Sequence, residues 1–265
     1  VPPPTTAAAP APAPAFDARA VLEPLVVDDR PRPDRPYRRE EWPHWDDIDG
    51  NGCDGREDAL LAATREPAEL GAACKVLSGE WVSPYDGLVT TDPSTIQIDH
   101  LVPLENAFIS GGWRWEAGRR RLFANDPQEL VATSASSNQS KGSKTPDEWR
   151  PAQRSVWCAY AVAWVRVKVT YDLTVTTAER DALGQMLDTC GPDTPPDARP
   201  GGPAGQPEPL GGPAAEPAPA PAPSDGGVVF ANCAAARAAG AAPIRRGEPG
   251  YRDRLDGDGD GVACE

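Results

Sequence analysis

Two proline- and alanine-rich tracts divide this chain before any element is assigned. Residues 1–15 read VPPPTTAAAPAPAPA, and residues 191–225 read GPDTPPDARPGGPAGQPEPLGGPAAEPAPAPAPSD. Neither has a hydrophobic period. Neither can bury enough apolar surface to offset the entropy of ordering it. They hold many of the chain's 32 prolines. The expected organisation is therefore a disordered arm (1–15), a main domain (16–190), a linker (191–225) and a small tail module (226–265). All eight tryptophans fall between Trp42 and Trp164, which places the core in the main domain.

The cysteines narrow the class further. Cys53, Cys74, Cys158, Cys190, Cys233 and Cys264 contain no CxxC pair, so a zinc cage is not expected. An even, well-spaced set points to disulfides and an oxidising compartment. Consecutive pairing (Cys53–Cys74, Cys158–Cys190, Cys233–Cys264) is the simplest of the connectivities that six cysteines allow, and it keeps each bridge inside one segment. The tail is small enough to need such a staple or a metal. The first residue is Val, as expected of a chain whose secretory leader has been removed. No apolar run approaches a membrane span. A secreted or extracellular monomer is expected.

Local patterns predict an α+β main domain. STIQIDH (94–100) alternates apolar and polar residues as a strand does, and ELVATS (129–134) reads as a second strand. GREDALLAATRE (55–66) reads as a helix, and SSNQSKGS (136–143) as a short one. VLEPLVV (21–27) suits a short helix or a strand. Thr145-Pro146-Asp147-Glu148 is spaced to start a helix running toward Tyr171, with a break near Pro151. Thr176 and Glu179 form a capping-box pattern before a last helix.

One of only two histidines, His100, follows Asp99 at a strand end in IDHLVPLENA (98–107). Imidazole can take a proton from water near neutral pH, and a carboxylate can hold a hard cation. Successive strand residues point to opposite faces, so the two share a site only where the strand ends. Downstream, FANDPQELVATSASSNQSKGSKTPDEW (123–149) adds Asn125, a strand, and Asn138-x-x-Lys141. Together these resemble the HNH, or ββα-metal, nuclease family. The likeness is greatest to secreted bacterial proteins related to the C-terminal domain of GmrSD-type restriction enzymes. It runs from about Tyr37 to Cys190 and includes WPHWDDIDGNGCD.

That resemblance implies roles. His100 would be the general base. Asp99 and Asn138 would bind one divalent cation, Mg²⁺ in the first instance. Asn125 would fix a loop or orient His100. Lys141 and Lys144 would contact phosphate, and Glu105 would support the site or lie on a helix surface. His44 is expected to be packing or surface.

The net charge of −14 argues against general nucleic-acid affinity, so binding must be local. Arg114, Arg119, Arg120, Arg121, Arg150 and Arg154 could build a basic groove, although the arginine run at 119–121 could equally be a helix's wet face.

The tail ends LDGDGDGVACE, with Asp256, Asp258 and Asp260 alternating before Gly261 and Glu265. From residue 230 onward it resembles the excalibur extracellular calcium-binding module, which implies Ca²⁺. DIDGNGCDGRED places Asp47, Asp49, Asn51, Gly52 and Asp58 at EF-hand positions. An ion site and an Asx-rich turn both fit that stretch.

The combined expectation is a ββα-metal nuclease core with additional helices, followed by a disulfide- and calcium-stabilised module on a disordered linker. Its activity would be metal-dependent hydrolysis of nucleic acid, DNA in the first instance with RNA left open, and with little sequence specificity. The rival is an inactive scaffold attached to the cell envelope through calcium.

Overall fold

The structure, a computed structural model, describes residues 16–202, 236–237, 241–246, 248, 255 and 262–264. The chain divides into two compact units, residues 1–211 and 212–265.

The first unit is α+β. Helix α1 is Ala18–Leu22 and α2 is Gly55–Ala63. Two small antiparallel pairs follow: β1 (Glu69–Leu70) with β2 (Val76–Ser78), and β3 (Trp81–Val82) with β4 (Val89–Thr90). Strand β5 (Ile96–His100) pairs antiparallel with β6 (Leu130–Ser134), from Ile96 opposite Ser134 to His100 opposite Leu130. Between them lie α3 (Leu104–Ile109) and α4 (Ala117–Ala124); after them come α5 (Ala135–Lys141), α6 (Trp157–Thr170) and α7 (Thr177–Leu187).

Both expected strands form, as do the helices of residues 55–66 and 136–143. Ser134 caps α5 by accepting the Ser137 N–H at 3.1 Å. The capping box of α7 is complete: Thr176 accepts the Glu179 N–H at 3.0 Å, and the Glu179 carboxylate accepts the Thr176 N–H.

Two local signals resolve differently. VLEPLVV divides: helix α1 ends at Leu22, ahead of Pro24, and Val27 bridges to Val175. The signal at Thr145 makes half of a capping box, the Thr145 N–H donating to Glu148 at 3.1 Å while its hydroxyl donates to the Asp147 and Glu148 carboxylates, and yields a single turn. Pro151 disfavours helical backbone at Arg150 and has no N–H to give, so α6 starts only at Trp157.

The core gathers on α6, which is apolar on nearly every face because α1 and α7 both cover it. Trp42, Tyr85, Phe108, Phe123, Tyr160 and Trp164 are fully buried in this cluster. Each such side chain contributes roughly 1.5–3 kcal/mol. Leu60, Trp81, Ile96, Ile98 and Leu130 form a second cluster between α2 and the β5–β6 pair. Disulfides join Cys53 to Cys74 and Cys158 to Cys190. The pairing expected for Cys264 lies outside the described residues, because Cys233 does.

Glu57 ties α2 to the first hairpin. Its carboxylate accepts from Lys75 at 2.7 Å and from the Val76 N–H at 2.8 Å. Burial raises its carboxyl, and the Lys75 and Val76 bonds outweigh that, so it sits below the usual range. A depressed carboxylate adds stability above its unfolded pKa and loses it as pH falls through the folded value. Glu57→Gln should therefore cost roughly 1–3 kcal/mol at pH 7. In paired melts, that difference should fade below about pH 4.

Packing continues past Cys190, where the linker was expected to begin. Ala198 is 4% exposed. The Arg199 guanidinium donates to the carbonyls of Pro127 at 2.9 Å and Leu130 at 3.0 Å, while Arg166 donates to Pro196. Composition hides this, because the anchoring is one arginine in a proline-rich stretch. A chain ended after Cys190 should melt several degrees below one ended after Gly202, since charged hydrogen bonds contribute about 1.5–3 kcal/mol. Equal melting temperatures would show that residues 191–202 add nothing.

In the second unit, β7 (Ile244–Arg245) pairs antiparallel with β8 (Val262–Ala263), and Ala236, Ile244, Leu255, Ala263 and Cys264 are buried together. Asp256, Asp258, Asp260 and Glu265 lie outside the described residues.

Candidate active site

The β5–β6 pair with α5 packed against it collects most of the expected site. Strand β5 ends at His100, which removes the alternation problem: Asp99 and His100 both line one cavity of about 200 Å³, with Asn138, Glu105, Tyr37 and Arg39. The turn after the strand is held by Glu129, whose carboxylate accepts the Val102 N–H at 3.1 Å while its carbonyl accepts the Leu101 N–H.

His100 is 6% exposed, and its Nε2 stands 2.8 Å from the Ala124 carbonyl. A carbonyl only accepts, so Nε2 carries the proton and Nδ1 keeps its lone pair. Burial pushes the imidazole down to about 3, against the pull of that carbonyl bond. The ring is therefore neutral at neutral pH, the state a base requires.

Asp99 is 4% exposed and accepts from Lys141 Nζ at 2.8 Å and from the Tyr85 hydroxyl at 2.7 Å. Burial raises its carboxyl, and the Lys141 ammonium pulls it back. Burial, then the neighbouring Asp99 charge, raises the Tyr85 phenol, so it stays protonated and donates. Asn138, one helical turn before Lys141, spends its amide N–H on Gln97 Oε1 at 3.0 Å and keeps its carbonyl oxygen.

Asp99 and Asn138 both line the cavity, and each Asp99 oxygen retains a lone pair beyond its one bond, a donor type that suits a hard divalent cation. Among the described residues no three His, Cys, Asp or Glu side chains converge. The remaining ligands would be water and substrate, as suits Mg²⁺.

Other expected residues take different places. Lys141 is fully buried, its ammonium held by Asp99 and by the His100 carbonyl at 2.8 Å, so it has no surface from which to contact phosphate. Lys144 is exposed and donates to the Ser140 carbonyl at 2.7 Å. Glu105 is exposed at the cavity rim and accepts from Ser143 at 2.7 Å. Asn125 fixes a loop: its amide donates to the Pro43 carbonyl and accepts the Asp46 N–H, both at 2.8 Å.

The arginines named for a basic groove each have a partner within the chain. Arg119 pairs with Asp172, Arg120 with Glu41 and Arg121 with Asp46. Arg114 lies over Trp113, and Arg150 and Arg154 over Trp157. Arg39 is the cation that lines the cavity, brought there by an N-terminal segment with no local signal of such a role.

The loop at 47–58 is internally hydrogen-bonded. Asp47 accepts the N–H groups of Gly50 and Gly52, and the Asn51 amide donates to Asp49 at 3.1 Å and Asp58 at 3.0 Å. These are Asx-type turn bonds, which an ion loop and an Asx-rich turn share.

The family model for the C-terminal domain of GmrSD restriction endonucleases matches residues 56–186, and that for the Excalibur calcium-binding domain matches residues 230–265. An uncharacterised secreted protein of Arthroderma benhamiae is 42% identical over 197 residues, covering 70% of this chain and 94% of that protein. No solved structure matches the chain.

Proposed function

Because the chain belongs to the family of the GmrSD restriction endonuclease C-terminal domain, we propose that it is a secreted, metal-dependent endonuclease hydrolysing phosphodiester bonds in nucleic acid. The observation that carries this reading is the neutral His100, tethered through Nε2 beside the Asp99–Asn138 oxygen pair in one cavity. The β5–β6 pair with α5 is then a ββα-metal core.

His100 Nδ1 accepts a proton from the attacking water. Asp99 and Asn138 would hold a single divalent cation, which supplies charge stabilisation at the scissile phosphate and the leaving 3′ oxygen. Lys141 and Tyr85 orient the Asp99 carboxylate by occupying one lone pair on each oxygen. Arg39 supplies the positive charge for a non-bridging phosphate oxygen. Asn125 holds the loop over His100. With Arg119, Arg120 and Arg121 paired to carboxylates of the chain, binding rests on few phosphate contacts and should have little sequence preference.

The relative is secreted, and two disulfides join Cys53–Cys74 and Cys158–Cys190, as suits an oxidising compartment. Among the described residues no helix is long and apolar enough to cross a membrane. The tail would bind Ca²⁺ through Asp256, Asp258, Asp260 and Glu265, independently of the nuclease site. Envelope attachment would follow from that binding.

End-group analysis tests the chemistry. Incubated with Mg²⁺ and either plasmid DNA or an RNA transcript, the full chain should leave 5′-phosphate ends, faster on DNA. Cyclic 2′,3′-phosphate ends, or no cleavage of either, would overturn the reading.

A further inference from the structure

The aromatic pair His44 and Trp45 has no part in the proton and phosphate chemistry, yet it packs directly on the base. Trp45 stacks against the His100 ring, with centroids 5.9 Å apart and planes at 28°. His44 meets His100 edge-on at 5.9 Å and 87°, and meets Trp45 at 5.0 Å and 77°. The segment carrying them is pinned from both ends by one side chain, the Asn125 amide bonding Pro43 and Asp46. Arg121 pairs with the Asp46 carboxylate, and His44 Nδ1 donates to the Trp42 carbonyl at 2.9 Å.

Trp45 has φ of +65°, in the left-handed region that bulky residues avoid. Such a conformation persists only where the surroundings over-determine it. Glycine would serve that turn without strain. A tryptophan there is explained by what its ring does: it packs against the Leu60, Trp81 and Leu130 cluster on one hand and stacks on His100 on the other. One hydrogen bond from Nε2 fixes a point on the imidazole but leaves the ring free to pivot about it. A stacked face and a perpendicular edge fix the plane.

We propose that the strap Pro43–Asp46 is a positioning device in which Trp45 and His44 hold the His100 ring in the plane that keeps Nε2 on Ala124 and Nδ1 toward the cavity. This rests on the reading of His100 as the base. It makes Trp45 and His44 positioning residues rather than catalytic ones.

The two histidines give an ¹⁵N-imidazole spectrum of two rings, assigned with His44→Phe. In the full chain at pH 7.5, the parent His100 should show a protonated Nε2 and an unprotonated Nδ1. In Trp45→Gly, which relieves the backbone, those two signals should move toward their mean. Its kcat on plasmid should fall about ten-fold or more, with KM within about two-fold. Trp45→Phe should restore the parent spectrum and most of the rate. If Trp45→Gly does not fold, Trp45→Leu, which keeps side-chain bulk, stands in for it with the same expected shift and loss. A folded Gly or Leu variant with the parent spectrum and the parent kcat would overturn the proposal. A parent that cleaves nothing would defeat the hydrolytic reading instead, and the spectra alone would then decide the strap.

Discussion

His100→Ala is expected to slow plasmid cleavage by about 10²–10⁴-fold, the contribution typical of a positioned general base. The chain should still fold with both described disulfides, because the imidazole makes a single hydrogen bond to Ala124 and sits at the end of β5 rather than inside either apolar cluster. Lys144→Ala is the matched control: its ammonium is exposed, bonds only the Ser140 carbonyl and does not line the cavity, so cleavage should stay near the parent rate. Single-turnover rates with enzyme in excess separate chemistry from product release. A His100→Ala chain that cleaves like its parent would remove the base from the account.

Lys141→Met should have the largest effect on stability. Lys141 is fully buried and balances the buried Asp99 carboxylate at 2.8 Å. Removing one partner of such a pair costs about 3–5 kcal/mol, because the other charge is left in a medium that cannot solvate it. For a domain of this size that lowers the melting temperature by roughly 10 °C. Asp99, freed of the ammonium, would be driven further toward its protonated form, so cleavage should fall as well. Adding Asp99→Asn to Lys141→Met should recover part of the lost stability and none of the activity. This double variant separates the electrostatic cost from the loss of packing. A Lys141→Met chain that melts with its parent would show that the pair does not hold β5 to α5.

How far the sequence could be read follows from which interactions are local. Alternation in STIQIDH and the polar run SSNQSKGS are short-range signals, and both elements formed close to where they are expected, although the helix is capped by Ser134 rather than from within that run. Asn138-x-x-Lys141 correctly indicated one helical face, but not that Lys141 points inward: a lysine beside a proposed phosphate site reads as a phosphate contact until the facing carboxylate is known. The charge run at 119–121 stays open in sequence, as a groove or as a helix's wet face, for the same reason. Its partners Asp172, Glu41 and Asp46 lie far away in sequence, so its commitment to internal bonds cannot be seen locally. His44 and Trp45 reach the site on a strap that Asn125 pins at Pro43 and Asp46, and Arg39 on a segment that Arg120 holds at Glu41. Asn125 reads in sequence as fixing a loop or orienting His100; which loop it holds, and that the loop carries rings onto His100, required the fold. Arg199 is the opposite case, a single anchoring residue concealed by the composition around it.

The central claim is that Asp99 and Asn138 place a divalent cation beside a neutral His100 to hydrolyse nucleic acid. Nicking of supercoiled plasmid by the full chain, followed against free Mg²⁺, tests it most directly. The account predicts a rate that rises to saturation with Mg²⁺, disappears with EDTA and returns when Mg²⁺ is restored. Undiminished nicking in EDTA, or none with Mg²⁺, Mn²⁺ or Ca²⁺, would contradict it.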